Sequence, residues 1–159
     1  MLFRSRYIDV AKEQGSSILT GGKLPDDSAL QAGCYIEPTI VTANPGDRIC
    51  QEEVFGPFVS ITRFKDEAEV IRIANSTEYG LGGGLWTRDL QRGHRVASAI
   101  RSGMVWVNTY KRVSPTSPFG GVGMSGYGRD LGPESMHEYT YPKSVMMNID
   151  AQVPPYYKR

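Results

Sequence analysis

FVSITRFKDEAEVIRIANSTEYGLGGGLWTRDLQRGHRVASAIRSGMVWVN, residues 58–108, switches between the period of a strand and the period of a helix. Residues 58–64 are a β-rich run, and Asp66 then stands where a helix N-cap belongs, its short carboxylate suited to accept from a first-turn N–H. Over residues 67–75, Val70, Ile71 and Ala74 fall on one face of a helix. A second strand-and-helix unit follows, with a strand over 81–87, Asp89 as N-cap, a helix over 90–102 and Gly103 as its left-handed C-terminal residue. Residues 104–108, MVWVN, make the next strand. Strands alternating with helices of this length predict an α/β fold: a mainly parallel open sheet with flanking helices.

Working outward toward the N-terminus, residues 35–43 are β-rich, and Pro38 assigns them to an edge or a bulge because it has no N–H to give a ladder. Residues 23–33, with Pro25, Asp26, Asp27 and Gly33, read as a surface loop. Before them, Tyr7, Ile8, Val10 and Ala11 recur at helical spacing over 7–14, and Gly15 stops the helix ahead of a short strand, Ile18-Leu19-Thr20. Toward the C-terminus, residues 109–133 hold three prolines and six glycines and little periodicity, the signature of a long functional loop. Residues 139–149 then alternate: Tyr139, Tyr141, Lys143, Val145, Met147 and Ile149 face one way, Thr140, Ser144 and Asn148 the other. That alternation predicts a strand with one mostly buried side.

Composition narrows the partners. Eighteen Lys and Arg against seventeen Asp and Glu, scattered along the chain, leave no basic stripe for nucleic acid. No apolar run approaches the roughly 20 residues that span a bilayer, and Met1 to Arg6 lack a signal peptide's apolar core, so the expected location is cytoplasmic. Cys34 and Cys50 are too few for a disulfide framework, and with His94 and His137 they show no paired spacing of a zinc site. No metal site is expected, and the cysteines read as unpaired thiols.

The string with the most chemical content is Glu52-Glu53-Val54-Phe55-Gly56-Pro57. An ionised carboxylate only accepts hydrogen bonds and can take two hydroxyl hydrogens at once, so an acid beside an aromatic and a Gly-Pro turn could clamp a ribose. The same residues also describe a solvated acidic turn over a core Phe.

The string resembles the Glu-Glu-hydrophobe-Phe-Gly-Pro signature of the aldehyde dehydrogenase superfamily. Further motifs match that family in order. Gly33-Cys34-Tyr35-Ile36-Glu37-Pro38-Thr39 is similar to its Gly-Tyr-x-x-Pro-Thr strand, with Cys34 inserted before the Tyr. Residues 75–81 resemble its Asn-x-x-x-Tyr-Gly-Leu turn, and 103–108 its Gly-x-hydrophobe-Trp-hydrophobe-Asn strand. Pro118-Phe119-Gly120-Gly121 and Ser125-Gly126-Tyr127-Gly128-Arg129 resemble its Pro-Phe-Gly-Gly and Ser-Gly-x-Gly-Arg loop. The match runs from about residue 7 to 149.

The resemblance implies the C-terminal part of an aldehyde dehydrogenase-like catalytic domain over 1–136, an extended oligomerisation strand over 137–150 and a tail over 151–159. It implies oxidation of an aldehyde to a carboxylic acid with NAD or NADP, through a cysteine thiohemiacetal, in a homo-oligomer that is a dimer or tetramer. By position, Glu53 corresponds to the glutamate that binds the nicotinamide ribose hydroxyls and Phe55 to the aromatic packed on that ribose. Val113 and Phe119 fall where the family lines its aldehyde pocket, and the small Val113 implies a roomy entrance. Asp130 stands where many members have a glutamate that relays protons or positions water; a plain salt bridge is the competing reading.

The family's nucleophilic cysteine, general-base glutamate and dinucleotide domain lie upstream of the Glu-Glu-Val-Phe-Gly-Pro string, and the 51 residues before Glu52 do not match them. Cys34 and Cys50 therefore read as structural, and the chain alone is expected to be inactive. Gly121-Val122-Gly123-Met124-Ser125-Gly126 spells a dinucleotide fingerprint, but Pro115 and Pro118 precede it and no apolar helical repeat follows, so it lacks the strand and helix that pattern requires. Two readings stand: a piece of an aldehyde oxidoreductase, or a non-catalytic interaction module of the same fold that binds a partner through its C-terminal strand. The coding sequence upstream of Met1 discriminates them.

Overall fold

A computed structural model describes residues 6–31 and 33–149; the tail over 151–159 lies outside them. The chain runs α1 (Arg6–Glu13), β1 (Ser17–Thr20), α2 (Ser28–Gln31), β2 (Thr39–Thr42), α3 (Arg48–Gln51), β3 (Phe58–Ile61), α4 (Glu67–Ala74), β4 (Tyr79–Gly80), β5 (Gly82–Leu85), α5 (Leu90–Ala99), β6 (Met104–Val107), β7 (Val122–Gly123) and a 3-10 helix (Pro133–Glu138). The α/β alternation of the sequence is present, and both strand pairs joined through a helix, β2 with β3 and β5 with β6, are parallel. The open sheet is divided among the described residues into three pieces: β1-β2-β3, β5-β6 and the short antiparallel pair β4-β7.

The caps form as the sequence requires. Asp66 accepts from the Glu69 N–H at 2.8 Å and Asp89 from the Arg92 N–H at 3.0 Å, each satisfying a donor that has no partner within its own helix. Tyr7, Val10 and Ala11 of α1 pack with Val41 of β2, Ile49 of α3 and Val54 into the buried core, where Val41 and Ala11 are fully enclosed. That core ties the first third of the chain to the segment that carries the acidic signature.

Three expectations need correction. Pro38 does not mark an edge: β2 is the middle strand, flanked by β1 and β3, and Pro38 stands just before it, so its missing N–H costs no ladder bond. Gly103 does not have the left-handed backbone of a helix C-terminus; α5 ends earlier, with Ile100 as C-cap. Its requirement is one of space, since a Cβ there would lie 1.7 Å from the Gly120 carbonyl oxygen. Residues 139–149 form no strand, and both sides of the segment are exposed, with Tyr139 and Tyr141 more than four-fifths so. The alternation encodes a face to be covered, and no sheet edge of the described residues covers it.

Candidate functional site

The acidic signature leaves α3 in extended backbone, with Glu52 as the helix C-cap. Val54 is buried in the core, and the residues on either side of it are not. Glu53 and Phe55 are both exposed. Phe55 is held at φ +48, a region that a bulky residue adopts only where the surrounding chain enforces it, and it remains 72% exposed. An aromatic presented in this way is more than the core Phe of a turn.

The two glutamates have different surroundings. Glu52 accepts from the Tyr7 hydroxyl at 2.8 Å on Oε2 and from Arg48 Nε at 2.6 Å on Oε1. Arg48, then the Tyr7 hydroxyl, hold its carboxyl below the ordinary carboxylate value, and the same contact with burial raises the Tyr7 phenol. Glu53 makes no ion pair or side-chain hydrogen bond among the described residues. It lines a cleft of about 720 Å³ together with Glu52, the glycines of 80–84, Thr77, Arg101 and Ser125. A carboxylate with its acceptor capacity unused can take the hydroxyl hydrogens of a ligand. Cys50 lines the same cleft half-buried, while Cys34 is exposed and distant in the loop before β2.

The second cluster is built by the loop after β6. Asn108, at φ +56, closes that strand: its side-chain oxygen accepts from the Thr87 N–H and its amide donates to the Thr87 carbonyl, both at 2.8 Å. The Trp106 indole N–H donates to the Arg112 carbonyl at 2.7 Å and packs edge-on with Tyr110, which fixes the chain just ahead of Val113. Phe119 and Asp130 exchange both backbone hydrogen bonds, at 2.6 and 2.7 Å, so the two ends of the glycine loop close on each other. Arg129 spends its guanidinium on the Gly121 and Gly128 carbonyls. Among the described residues Asp130 forms no salt bridge, and its side chain is exposed. Phe119, Asp130, Tyr127 and Glu138 line a second cavity of about 330 Å³, which shares Leu81 and Ser125 with the Glu53 cleft.

The structure thus places Phe119 and Asp130 in one cavity and Glu53 in the adjoining cleft, with Phe55 two residues along the same strand approach. Val113 is half-exposed and lines neither space. The literal dinucleotide pattern at 121–126 forms β7 and a turn; Gly123 pairs with Tyr79 and no helix follows. Sequence reasoning missed the Tyr7, Arg48 and Glu52 contact because its partners lie 45 residues apart on α1 and α3. The four-residue spacing of Arg48 and Glu52 was the available signal. Among the described residues no group of three or more His, Cys, Asp and Glu is placed to hold a metal ion, and no helix is long and apolar enough to cross a membrane.

The model of the aldehyde dehydrogenase family matches residues 4–145. An acetaldehyde dehydrogenase of Pseudomonas aeruginosa is 43% identical over 145 residues, covering 91% of this chain and 29% of its own length. A betaine aldehyde dehydrogenase of Bacillus subtilis is 44% identical over 144 residues, 90% of this chain and 29% of its own. The crystal structures of PnpE from Pseudomonas sp. WBC-3 and of PnpE in complex with nicotinamide adenine dinucleotide each superpose with a TM-score of 0.89 at 60% identity, covering 98% of this chain and 32% of theirs. The chain spans under a third of the length of the relatives it matches.

Proposed function

The chain belongs to the aldehyde dehydrogenase family, and on that premise we propose that it serves an NAD(P)-dependent enzyme that oxidises an aldehyde to a carboxylic acid, as the part that orients the nicotinamide and borders the substrate pocket. The observation that carries this reading is the contrast within the glutamate pair: both line the cleft, Glu52 with its two oxygens engaged by Tyr7 and Arg48, and Glu53 with its acceptors unused. Relatives crystallised with nicotinamide adenine dinucleotide support the cofactor.

When bound, the nicotinamide accepts the two electrons that leave the aldehyde. The residues of this chain supply position. Glu53 takes the ribose hydroxyls as a double acceptor, and Phe55 packs its exposed ring on the sugar, so the reacting carbon is held over the substrate rather than sampling the cleft. Phe119 borders the aldehyde. Val113 stands half-exposed in the loop that Trp106 anchors, outside the Phe119 cavity, and its place in the aldehyde pocket rests on the family resemblance alone. Asp130, free of Arg129, is available to hold a water or pass a proton, with one methylene less reach than a glutamate. Neither Cys34 nor Cys50 is assigned the nucleophile's role: one lies exposed before β2, and the other lies half-buried against the core.

Residues 137–150 act, in this reading, as the contact between subunits of a homo-oligomer. The exposed side chains of Tyr139, Tyr141, Val145, Met147 and Ile149 support it, since an apolar strand face with free backbone groups pairs readily with another edge. The same segment would serve the alternative of a non-catalytic module, but that alternative leaves the presented Glu53 and Phe55 without a purpose.

Glu53→Gln in the protein that carries this chain tests the assignment. Single-turnover kinetics should show slower reduction of the nicotinamide with the aldehyde KM nearly unchanged, because the lost contact orients the cofactor. An unaltered single-turnover rate, with only the overall affinity for cofactor reduced, would refute the orienting role.

A further inference from the structure

The peptide that carries Glu53 is fixed from both sides, by its two neighbours in the signature and by the groups that hold them. On the C-terminal side Val54 is buried in the core. On the N-terminal side Glu52 is held at three points: its N–H donates to the Arg48 carbonyl at 2.9 Å, its Oε2 accepts from the Tyr7 hydroxyl, and its Oε1 accepts from Arg48 Nε; the Arg48 guanidinium in turn lies 5.8 Å from the Tyr7 ring centroid. Tyr7 is itself 5% exposed on α1, so its hydroxyl is an anchor set by the core rather than a mobile surface group.

The helix before Glu52 is braced as well. Gln14, just past the end of α1, accepts the Arg48 N–H on its side-chain oxygen at 3.0 Å. Gln51 donates to the Pro45 carbonyl at 2.6 Å and to the Ser76 hydroxyl at 3.2 Å. Ser76 follows α4 and adjoins Thr77, which also lines the cleft. One short turn of helix is therefore tied to α1 on one side and to the segment after α4 on the other.

We infer that Tyr7 and Arg48, acting through Glu52, are positioning residues for Glu53: together they set the place and direction from which its carboxylate enters the cleft. The inference rests on the assignment of Glu53 to the nicotinamide ribose. Neither Tyr7 nor Arg48 lines the cleft, whereas Glu52 does, so Tyr7→Phe is the variant that acts from outside the cleft. A displacement of about 1 Å at an orienting group is enough to cost a large factor in a reaction that depends on alignment, which makes the brace functional and not only structural.

Tyr7→Phe removes one hydroxyl and keeps the buried ring; Glu52→Gln keeps the size of the side chain and removes its charge. Both are compared with Glu53→Gln and with the double variant Tyr7→Phe/Glu53→Gln in the protein that carries this chain. NADH is titrated and followed by its own fluorescence, with NADPH in a parallel titration, reading the dissociation constant and the fluorescence lifetime per bound nucleotide. Tyr7→Phe and Glu52→Gln are each expected to weaken NADH or NADPH about tenfold and shorten the bound lifetime, and Tyr7→Phe to have no further effect once Glu53 is Gln. A variant that merely folds less well lowers the number of binding sites and leaves the constant and lifetime of the remaining sites alone; that result overturns the inference. A strong effect of Glu53→Gln with none from Tyr7→Phe or Glu52→Gln overturns the inference while preserving the ribose assignment. No effect of Glu53→Gln, or no binding of either nucleotide, overturns the ribose assignment and the inference with it.

Discussion

Gly103→Ala should disrupt the substrate-side loop from a distance. Gly103 opens β6 and donates its N–H to the Gly80 carbonyl at 2.9 Å, so its backbone is fixed against the cleft wall. A Cβ at this position would lie 1.7 Å from the Gly120 oxygen and 2.8 Å from the Gly120 carbon. A carbon and a carbonyl oxygen in contact sit about 3.3 Å apart or more, so the two segments must separate by roughly 1.5 Å. Both partners are backbone, and no rotamer change relieves the clash. The cost expected for such overpacking is about 3 kcal/mol or more. For an unfolding unit of this size that lowers the thermal midpoint by about 6 °C or more. Gly46→Ala is the matched control, since its Cβ would meet nothing within 4 Å and its φ is ordinary; it should be neutral or stabilising by up to about 1 kcal/mol. Differential scanning calorimetry of the two variants decides. A Gly103→Ala midpoint within about 1 °C of the parent would refute the close-approach argument.

Asn108→Ala should destabilise by about 2 kcal/mol, losing two hydrogen bonds to Thr87 and a residue type that tolerates positive φ, whereas Asn108→Gly should recover the backbone part, about 1 kcal/mol of it; equal midpoints for the two would remove the backbone component. Acid should weaken the fold through carboxyls held below their ordinary values: Glu67 by Arg95 and then Arg92, Glu52 by Arg48 and then Tyr7, and Asp89 by the Arg92 N–H. A depressed folded value contributes stability that is complete above the ordinary carboxylate value and disappears as pH falls through the lowered one, so Glu67→Gln should flatten the stability profile below about pH 4. A profile in which that variant is as acid-sensitive as the parent would count against the pair with α5. Removing residues 139–159 should lower the oligomeric mass seen by light scattering coupled to size exclusion; an unchanged mass would contradict the exposed segment's role between subunits.

Local signals in the sequence were legible where local physics decides the structure. Asp66 and Asp89 cap their helices because an aspartate before an apolar-periodic run has free N–H groups within its own reach. The two helix-linked parallel strand pairs follow from strand and helix periods that alternate at short spacing. Features set by distant chain were not legible. Gly103 looks like a helix stop in sequence, and only the approach of Gly120, seventeen residues on, shows that its requirement is space. Pro38 suggested an edge because the sequence cannot say that its position lies just outside the ladder. The turn of α3 is too short to show a period, and it depends on Asp47, whose carboxylate accepts from the Asn44 N–H instead of capping the helix. The C-terminal alternation predicts a strand that residues 139–149 do not form, because a strand also needs a partner edge. At the site, the acidic doublet was visible and the resemblance singled out Glu53, but the contacts that hold Glu52 were not legible. Glu52 and Glu53 are the same residue type in adjacent positions, and what separates them is a buried hydroxyl from α1.

The most direct test is a crystal structure of the protein that carries this chain, with the oxidised nicotinamide dinucleotide bound. The Glu53 carboxylate should accept both hydroxyls of the nicotinamide ribose at about 2.7 Å, with the Phe55 ring against that sugar and Glu52 still held by Tyr7 and Arg48. A nicotinamide ribose bound by other residues, with Glu53 turned to a protein donor, would contradict the account.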